Sequence, residues 1–186
     1  VFLVAMAGAG LLGVLLDRLA YAPLRGSQRL TPLLSAIGAS LFLQNVVFLW
    51  RDSQLAFPPV FVLDHFHCLG LEVGWLQTLI VVASVGLMFA LALFVRKTRL
   101  GKAMRAVSQD AEAAELMGIP VNRIIALTFF IGGALGGAAG FLNGMYYGSV
   151  KYNMGFTPGI KAFTSAVLGG IGSIPGAMAG GYLLGL

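Results

Sequence analysis

Residues 64–68, Asp-His-Phe-His-Cys, are the group in this sequence whose residue types would suit a metal ion. In an extended segment, His65 and His67 would lie on one face, because side chains alternate with a period of two. No further ligand is found on that face to complete the tetrahedral arrangement that zinc prefers. We therefore expect no metal site. The single cysteine, Cys68, also excludes an internal disulfide.

Two other patterns concern nucleotides and catalysis. Gly8, Gly10 and Gly13 match the dinucleotide pattern G-x-G-x-x-G, but that motif requires a preceding strand, and here it lies in an apolar stretch. Close helix packing explains these small residues better. The sequence contains no G-x-x-x-x-G-K-[ST] loop, so we expect no ATP bound by this chain. Its apolar stretches lack His, Asp and Lys, so we expect a protein that is not an enzyme.

Residues 102–118 combine an apolar periodicity with acidic side chains. Apolar residues recur at steps of three and four: Met104, Val107, Ala111, Ala114 and Met117. This spacing predicts one amphipathic helix over residues 102–118. Its other face carries charges: Arg105, Asp110, Glu112 and Glu115. A helix that binds lipid would be basic on its polar face, so the three acids favour docking onto a partner protein.

The composition indicates a membrane protein that positions these groups on helices. The chain of 186 residues is 58% hydrophobic and 10% charged, whereas soluble domains are about 25% charged. Five stretches free of charge suit spans of about 20 residues: 1–16, 33–50, 74–95, 124–147 and 162–186. We expect an all-α, polytopic transmembrane helix bundle. Residues 1–186 would form a single transmembrane domain, truncated at both ends.

The distribution of Lys and Arg predicts the orientation of the bundle. The first and third connections hold nine of the twelve basic residues, so we place both connections in the cytoplasm. The helix over residues 102–118 is then cytoplasmic.

Residues 162–186 predict a broken or re-entrant helix. Pro175 lacks a backbone donor, and four glycines surround it. Irregular backbone at membrane depth needs protein or a water-filled cavity to satisfy it, so the break is a candidate for the transport pathway. A simple turn between two short interfacial helices is the alternative.

Small and polar residues in the spans have two interpretations each. Gly132, Gly136, Gly140, Gly144 and Gly148 recur every four residues and predict a helix–helix seam; a pore-lining face is the alternative. The amides of Gln44, Asn45 and Asn143 would bond across helices, or they would line an outer vestibule.

Residues 112–118 fit the pattern E-A-A-x-x-x-G of the cytoplasmic loop of ABC importer permeases. The I-x-L-P continuation found in the sugar- and maltose-type branch is missing. The segments that resemble the branched-chain amino acid permeases are 18–26, 36–45, 113–123 and 159–177. Within the last of them, Ser-Ile-Pro-Gly-Ala at 173–177 is similar to the H-type subunit.

The resemblance implies one of two permease subunits in an ABC importer of a prokaryotic inner membrane. Its partners would be an M-type permease subunit, two ABC ATPase subunits that bind the ATP, and an extracytoplasmic substrate-binding protein. The ATPase would dock on a coupling helix with Arg105, Asp110, Glu112, Ala113, Ala114 and Gly118 as the coupling residues. Alternating access would follow ATP-driven closure of the partner.

The cargo implied by the resemblance is leucine, isoleucine or valine. Urea or a short-chain amide is the alternative within ABC permeases, and a passive channel or secondary transporter is the alternative outside them. The candidate pathway residues are Gln44, Asn45, Asn143, Thr164, Gly169, Gly170, Gly172 and Ser173.

Overall fold

The structure is a computed structural model that describes residues 1–24, 31–50, 55–56, 65–68, 71–170 and 172–185. Its α-helices are α1 Phe2–Leu16, α2 Thr31–Trp50, α3 Trp75–Lys97, α4 Arg99–Gln109, α5 Ala111–Leu116, α6 Val121–Tyr147, α7 Phe156–Leu168 and α8 Ile174–Gly185. Its strands are β1 Leu55–Ala56, β2 His65–Cys68, β3 Leu71–Gly74 and β4 Ser149–Val150. Asp64 of the metal-type group lies outside the described residues, as do the side chains at 65–68.

The predicted all-α membrane bundle is confirmed. Three helices in the described ranges are long and apolar enough to cross a membrane: Phe2–Leu24, α3 and α6. The first of them includes α1 and its continuation through a π-helical turn, Asp17–Tyr21, and a 3-10 turn, Ala22–Leu24. Helix α2 adds a shorter apolar helix over Leu34–Trp50. The strands form two small antiparallel pairs, β1 with β4 and β2 with β3.

Helices α1 and α6 pack antiparallel along a seam where their backbones touch. A Cβ placed on Gly13 would lie 2.5 Å from the carbonyl oxygen of Phe129, and one on Gly133 would lie 2.5 Å from that of Ala9. Aromatic pairs close both ends of this seam, Phe2 with Phe141 at 5.4 Å and Tyr21 with Phe129 at 5.0 Å between ring centroids. In lipid, such close approach is what allows van der Waals packing to hold two helices together.

The seam uses Gly133 and Gly137, which directly follow two glycines of the stripe predicted from the sequence. Among the described residues, no atom lies within 4 Å of a Cβ built on Gly132, Gly136 or Gly140. Gly144 is buried, and Gly148 ends α6 in a left-handed conformation with φ 63°. The stripe is therefore not the seam between α1 and α6. That the stripe packs against another helix stays a prediction, for a neighbour outside the described residues.

The break predicted in the last apolar stretch is present, and it has the form of a helical hairpin. Helix α7 ends at Leu168 and α8 begins at Ile174, with Gly170 at φ 89° and Gly172 at φ 97° in the turn. A side chain on Gly169 would collide with the Gly176 backbone, and one on Gly180 would lie 2.5 Å from the Ser165 carbonyl oxygen. The paired glycines therefore hold two half-length helices antiparallel.

Gly13→Leu should destabilise the chain by about 1–3 kcal/mol, because α1 and α6 have no space between them at this position and must move apart to admit a larger side chain. The free energy of unfolding of the isolated chain, measured by SDS titration in mixed micelles, tests this. Gly8→Leu is the matched control on the same helix, since nothing lies within 4 Å of its Cβ position. Equal losses in both variants would contradict the seam.

Candidate functional site

We call α4 and α5 the cytoplasmic element, after the orientation predicted from the basic residues. It begins where α3 turns directly into α4 at Thr98. The Thr98 hydroxyl donates to the Phe94 carbonyl oxygen at 2.7 Å and accepts from the Gly101 N–H at 3.0 Å. Gly101 is buried against the backbone of Phe94 and Val95, where a Cβ would collide. This turn therefore holds the start of α4 tightly on the end of α3.

Arg105 strengthens the same junction from the second turn of α4. Its Nη1 donates to the carbonyl oxygens of Val95 at 2.7 Å and Arg96 at 3.4 Å. The last carbonyls of a helix have no partner within the helix, and their partial negative charge favours a cation. Arg105, which was predicted as a coupling residue, thus braces α4 against α3.

The prediction of one continuous helix over residues 102–118 is wrong, because the helix is interrupted at Asp110. This residue adopts an extended conformation, φ −152° and ψ 108°, between α4 and α5. Its Oδ1 accepts from the Ala113 N–H at 3.0 Å. An aspartate side chain stabilises a helix start by satisfying such an unpaired donor, so α5 begins anew at Ala111.

Gly118 ends α5 as the sequence motif predicted, in a left-handed conformation with φ 80°. The Gly118 N–H donates to the Glu115 carbonyl oxygen at 2.9 Å, and the Ile119 N–H donates to that of Ala114 at 3.0 Å. This pair of bonds is a Schellman motif, which favours glycine because a side chain strains the left-handed conformation. The chain then enters α6 after Pro120.

The short helix α5 is anchored by one residue and exposed elsewhere. Ala114 is 5% exposed, whereas Leu116 and Met117 are 89% and 82% exposed. Glu112, Ala113 and Glu115 are exposed as well. The predicted apolar face is therefore split: Met104, Val107 and Ala114 lie against the protein, whereas Ala111 and Met117 lie on the surface. We call the set Glu112, Ala113, Glu115, Leu116 and Met117 the α5 tip.

A cavity of about 690 Å³ opens beside this element, between the end of α1 and the start of α6. Its lining residues are Val14, Asp17, Arg18, Ala22, Asn122, Arg123, Ala126, Leu127 and Phe130. Asp17 is 1% exposed and has an interaction partner within the protein. Sequence reasoning assigned Asp17 to a connection, because a charge directly after an apolar stretch usually marks the end of a span. Here the helix continues through it as a π-helical turn.

The predicted pathway residues do not converge on one cavity in the described residues. Gln44 lines a cavity of about 290 Å³ with Ser40, Leu43, Val47, Tyr152 and Gly155. Asn45 donates to the Leu41 carbonyl oxygen of its own helix, and Thr164 donates to that of Ile160. Gly169 lies in the seam between α7 and α8. Gly170, Gly172 and Ser173 are exposed at the hairpin turn, and Asn143 is half-buried on α6. Their role in transport stays a prediction.

Comparison with known proteins gives one consistent result. Residues 1–186 match the family model described as "Branched-chain amino acid transport system / permease component". The chain is 51% identical over 179 residues to the high-affinity branched-chain amino acid transport system permease protein BraD of Pseudomonas aeruginosa, with 94% of this chain and 58% of the relative covered. The corresponding LivH proteins of Escherichia coli K12 and Salmonella typhimurium are 45% and 44% identical over 190 residues, with 100% of this chain and 62% of each relative covered. No solved structure gives a significant match.

Asp110→Ala should loosen the start of α5, because removing a helix-capping side chain costs about 1 kcal/mol. We expect the amide of Ala113 to exchange its hydrogen several-fold faster, measured by mass spectrometry on the detergent-solubilised protein. Asp110→Asn is the control, since asparagine caps helices as well as aspartate does. If both variants exchanged at the parent rate, Asp110 would not define α5.

Proposed function

Because this chain belongs to the family of permease components of branched-chain amino acid transport systems, we propose that it forms a membrane-spanning subunit of an ABC importer for leucine, isoleucine and valine. The chain spans 58–62% of the length of the curated relatives it matches. The activity is therefore proposed for the full-length protein, in the inner membrane of a prokaryote. Residues 1–186 would form part of a single permease domain.

The observation that carries the proposal is the α5 tip, an exposed apolar and acidic surface at the basic end of the bundle. Two apolar side chains stand more than four-fifths exposed there, Leu116 and Met117. The acids Glu112 and Glu115 lie beside them. Isolated exposed apolar residues are common on proteins, but a helix that presents them next to two charges suits docking into a groove. We propose an ABC ATPase subunit as the occupant.

The connections of α5 support a mechanism for coupling. Upstream, α5 is separated by the single residue Asp110 from α4, which Arg105 and Thr98 brace on α3. Downstream, only Met117–Pro120 separate it from α6, which packs along α1. A displacement of the α5 tip by the ATPase would thus be transmitted to α3 and α6 through short, hydrogen-bonded junctions. We propose that this displacement drives alternating access.

The other partners follow from the same proposal. A companion M-type permease subunit, two ATPase subunits and an extracytoplasmic binding protein would complete the importer. The family description gives the coarser fact, that the chain is one component of a transport system. The relatives named above all transport branched-chain amino acids. No observation favours urea or a short-chain amide as the cargo.

Reconstitution tests the cargo. The full-length protein, assembled with its companion permease, ATPases and binding protein in proteoliposomes, should accumulate labelled leucine only with ATP on the ATPase side. Isoleucine and valine should compete, and urea should not. Accumulation of urea in place of leucine would refute the cargo, and equilibration of leucine without ATP would refute the coupling.

Leu116→Glu tests the docking surface. Burying a leucine stabilises an interface by about 1.5–3 kcal/mol, so ATP-dependent uptake at limiting ATPase should fall at least about tenfold. The fold should be preserved, because the side chain is 89% exposed. Gln109→Glu is the control, because it adds the same charge at an exposed position on α4. Unchanged uptake by Leu116→Glu would place the ATPase contact elsewhere.

A further inference from the structure

The cavity between α1 and α6 has a charged mouth and an apolar interior. Arg18, Asn122 and Arg123 are exposed at the mouth, whereas Val14, Ala126, Leu127 and Phe130 are half-buried along its wall. Phe130 lies seven residues after Arg123 on α6, so the wall extends roughly 10 Å along the helix axis. This arrangement suits an amphipathic ligand with a polar head and an apolar tail.

The two ends of the cavity would face different environments, one apolar and one polar. Both of its walls belong to helices long and apolar enough to cross a membrane. Arg18 and Arg123 lie near the ends of these helices, on the side that also carries Arg96, Lys97 and Arg99. If these helices cross the membrane with their basic ends in the cytoplasm, the wall from Val14 to Phe130 lies at hydrocarbon depth and the mouth lies at the level of the cytoplasmic lipid headgroups.

We propose that this cavity binds an anionic phospholipid, with its phosphate on Arg18 and Arg123 and the start of an acyl chain against Leu127 and Phe130. Basic pockets between transmembrane helices on the cytoplasmic side suit anionic headgroups, and arginine can bind a phosphate through two hydrogen bonds. The volume of about 690 Å³ is within the range of small-molecule sites, about 300–1,000 Å³. This proposal concerns the lipid environment and is independent of the cargo.

The exposed charges favour a phospholipid over a zwitterionic amino acid. An accessible carboxylate would favour the ammonium group of an amino acid. The carboxylate that lines the cavity is Asp17, which is 1% exposed and engaged within the protein. The accessible ionic groups are both guanidinium groups.

Lipid retention is the first test. The full-length protein in its assembled complex is delipidated in detergent, incubated with phosphatidylglycerol or phosphatidylcholine, and passed through gel filtration before the bound lipid is quantified. We expect the parent complex to retain phosphatidylglycerol in preference to phosphatidylcholine. The double variant Arg18→Gln with Arg123→Gln should retain at least about fivefold less phosphatidylglycerol than the parent. This ratio corresponds to the usual strength of one basic residue at an anionic membrane surface. Arg96→Gln with Arg99→Gln is the matched control, because both residues are exposed at the same end outside the cavity.

Fluorescence quenching places the lipid even if the arginine variant folds poorly. A tryptophan at Leu127→Trp should be quenched by brominated phosphatidylglycerol more than by brominated phosphatidylcholine, beyond the quenching of the parent chain. Equal quenching by both lipids overturns the proposal. The absence of quenching overturns it as well, and this is the result expected if another helix of the complex filled the cavity. Protection from thermal unfolding by inorganic phosphate to the same extent as by phosphatidylglycerol also overturns it, because the site would then bind a small anion.

Discussion

The contact between the backbones of α1 and α6 is the interaction on which the rest of the arrangement depends. Lipid tails are as apolar as leucine side chains, so the hydrophobic effect does not hold two spans together. Close approach of the two backbones holds them together. It requires positions without a Cβ, which are supplied by Gly10, Gly13, Gly133 and Gly137. Because the helices are antiparallel, this seam brings the end of α1 beside the start of α6. The charged cavity and the cytoplasmic element therefore lie at one end of the bundle.

The cytoplasmic element is built from hydrogen bonds to helix ends, in contrast to the glycine contacts within the spans. Arg105 occupies the last carbonyls of α3, Asp110 occupies a first amide of α5, and Gly118 permits the bonds that close α5. Each junction satisfies backbone groups that a short helix would otherwise leave open to water. A six-residue helix is too short to be stable by itself. These caps keep α5 folded while Leu116 and Met117 stay exposed.

The sequence predicted what depends on composition and local chemistry. Charge-free stretches predicted an all-α membrane bundle, Pro175 and its glycines predicted the break, and Gly118 predicted the end of α5. The single helix over residues 102–118 was wrong because the apolar period runs through Asp110 without a change of phase, although aspartate is more favourable at a helix start than in its interior. The burial of Asp17 was missed, because it depends on the tertiary packing of the turn Asp17–Tyr21, which contacts both α2 and α6. The polar residues expected in the pathway could not be grouped from sequence, since their neighbours are set by tertiary contacts.

The small residues of α6 show that one helix can carry two glycine rows, of which periodicity in the sequence reveals the longer. Helix α6 carries two adjacent rows, one with Gly132, Gly136 and Gly140 and one with Gly133 and Gly137. Successive residues are about 100° apart around a helix, so the two rows lie on different faces of α6. Periodicity identified the longer row, but α1 occupies the shorter one. A helix of 27 residues with small residues on two faces can approach two other backbones at once. Helix α6 therefore presents a second face of small residues besides the one that packs on α1.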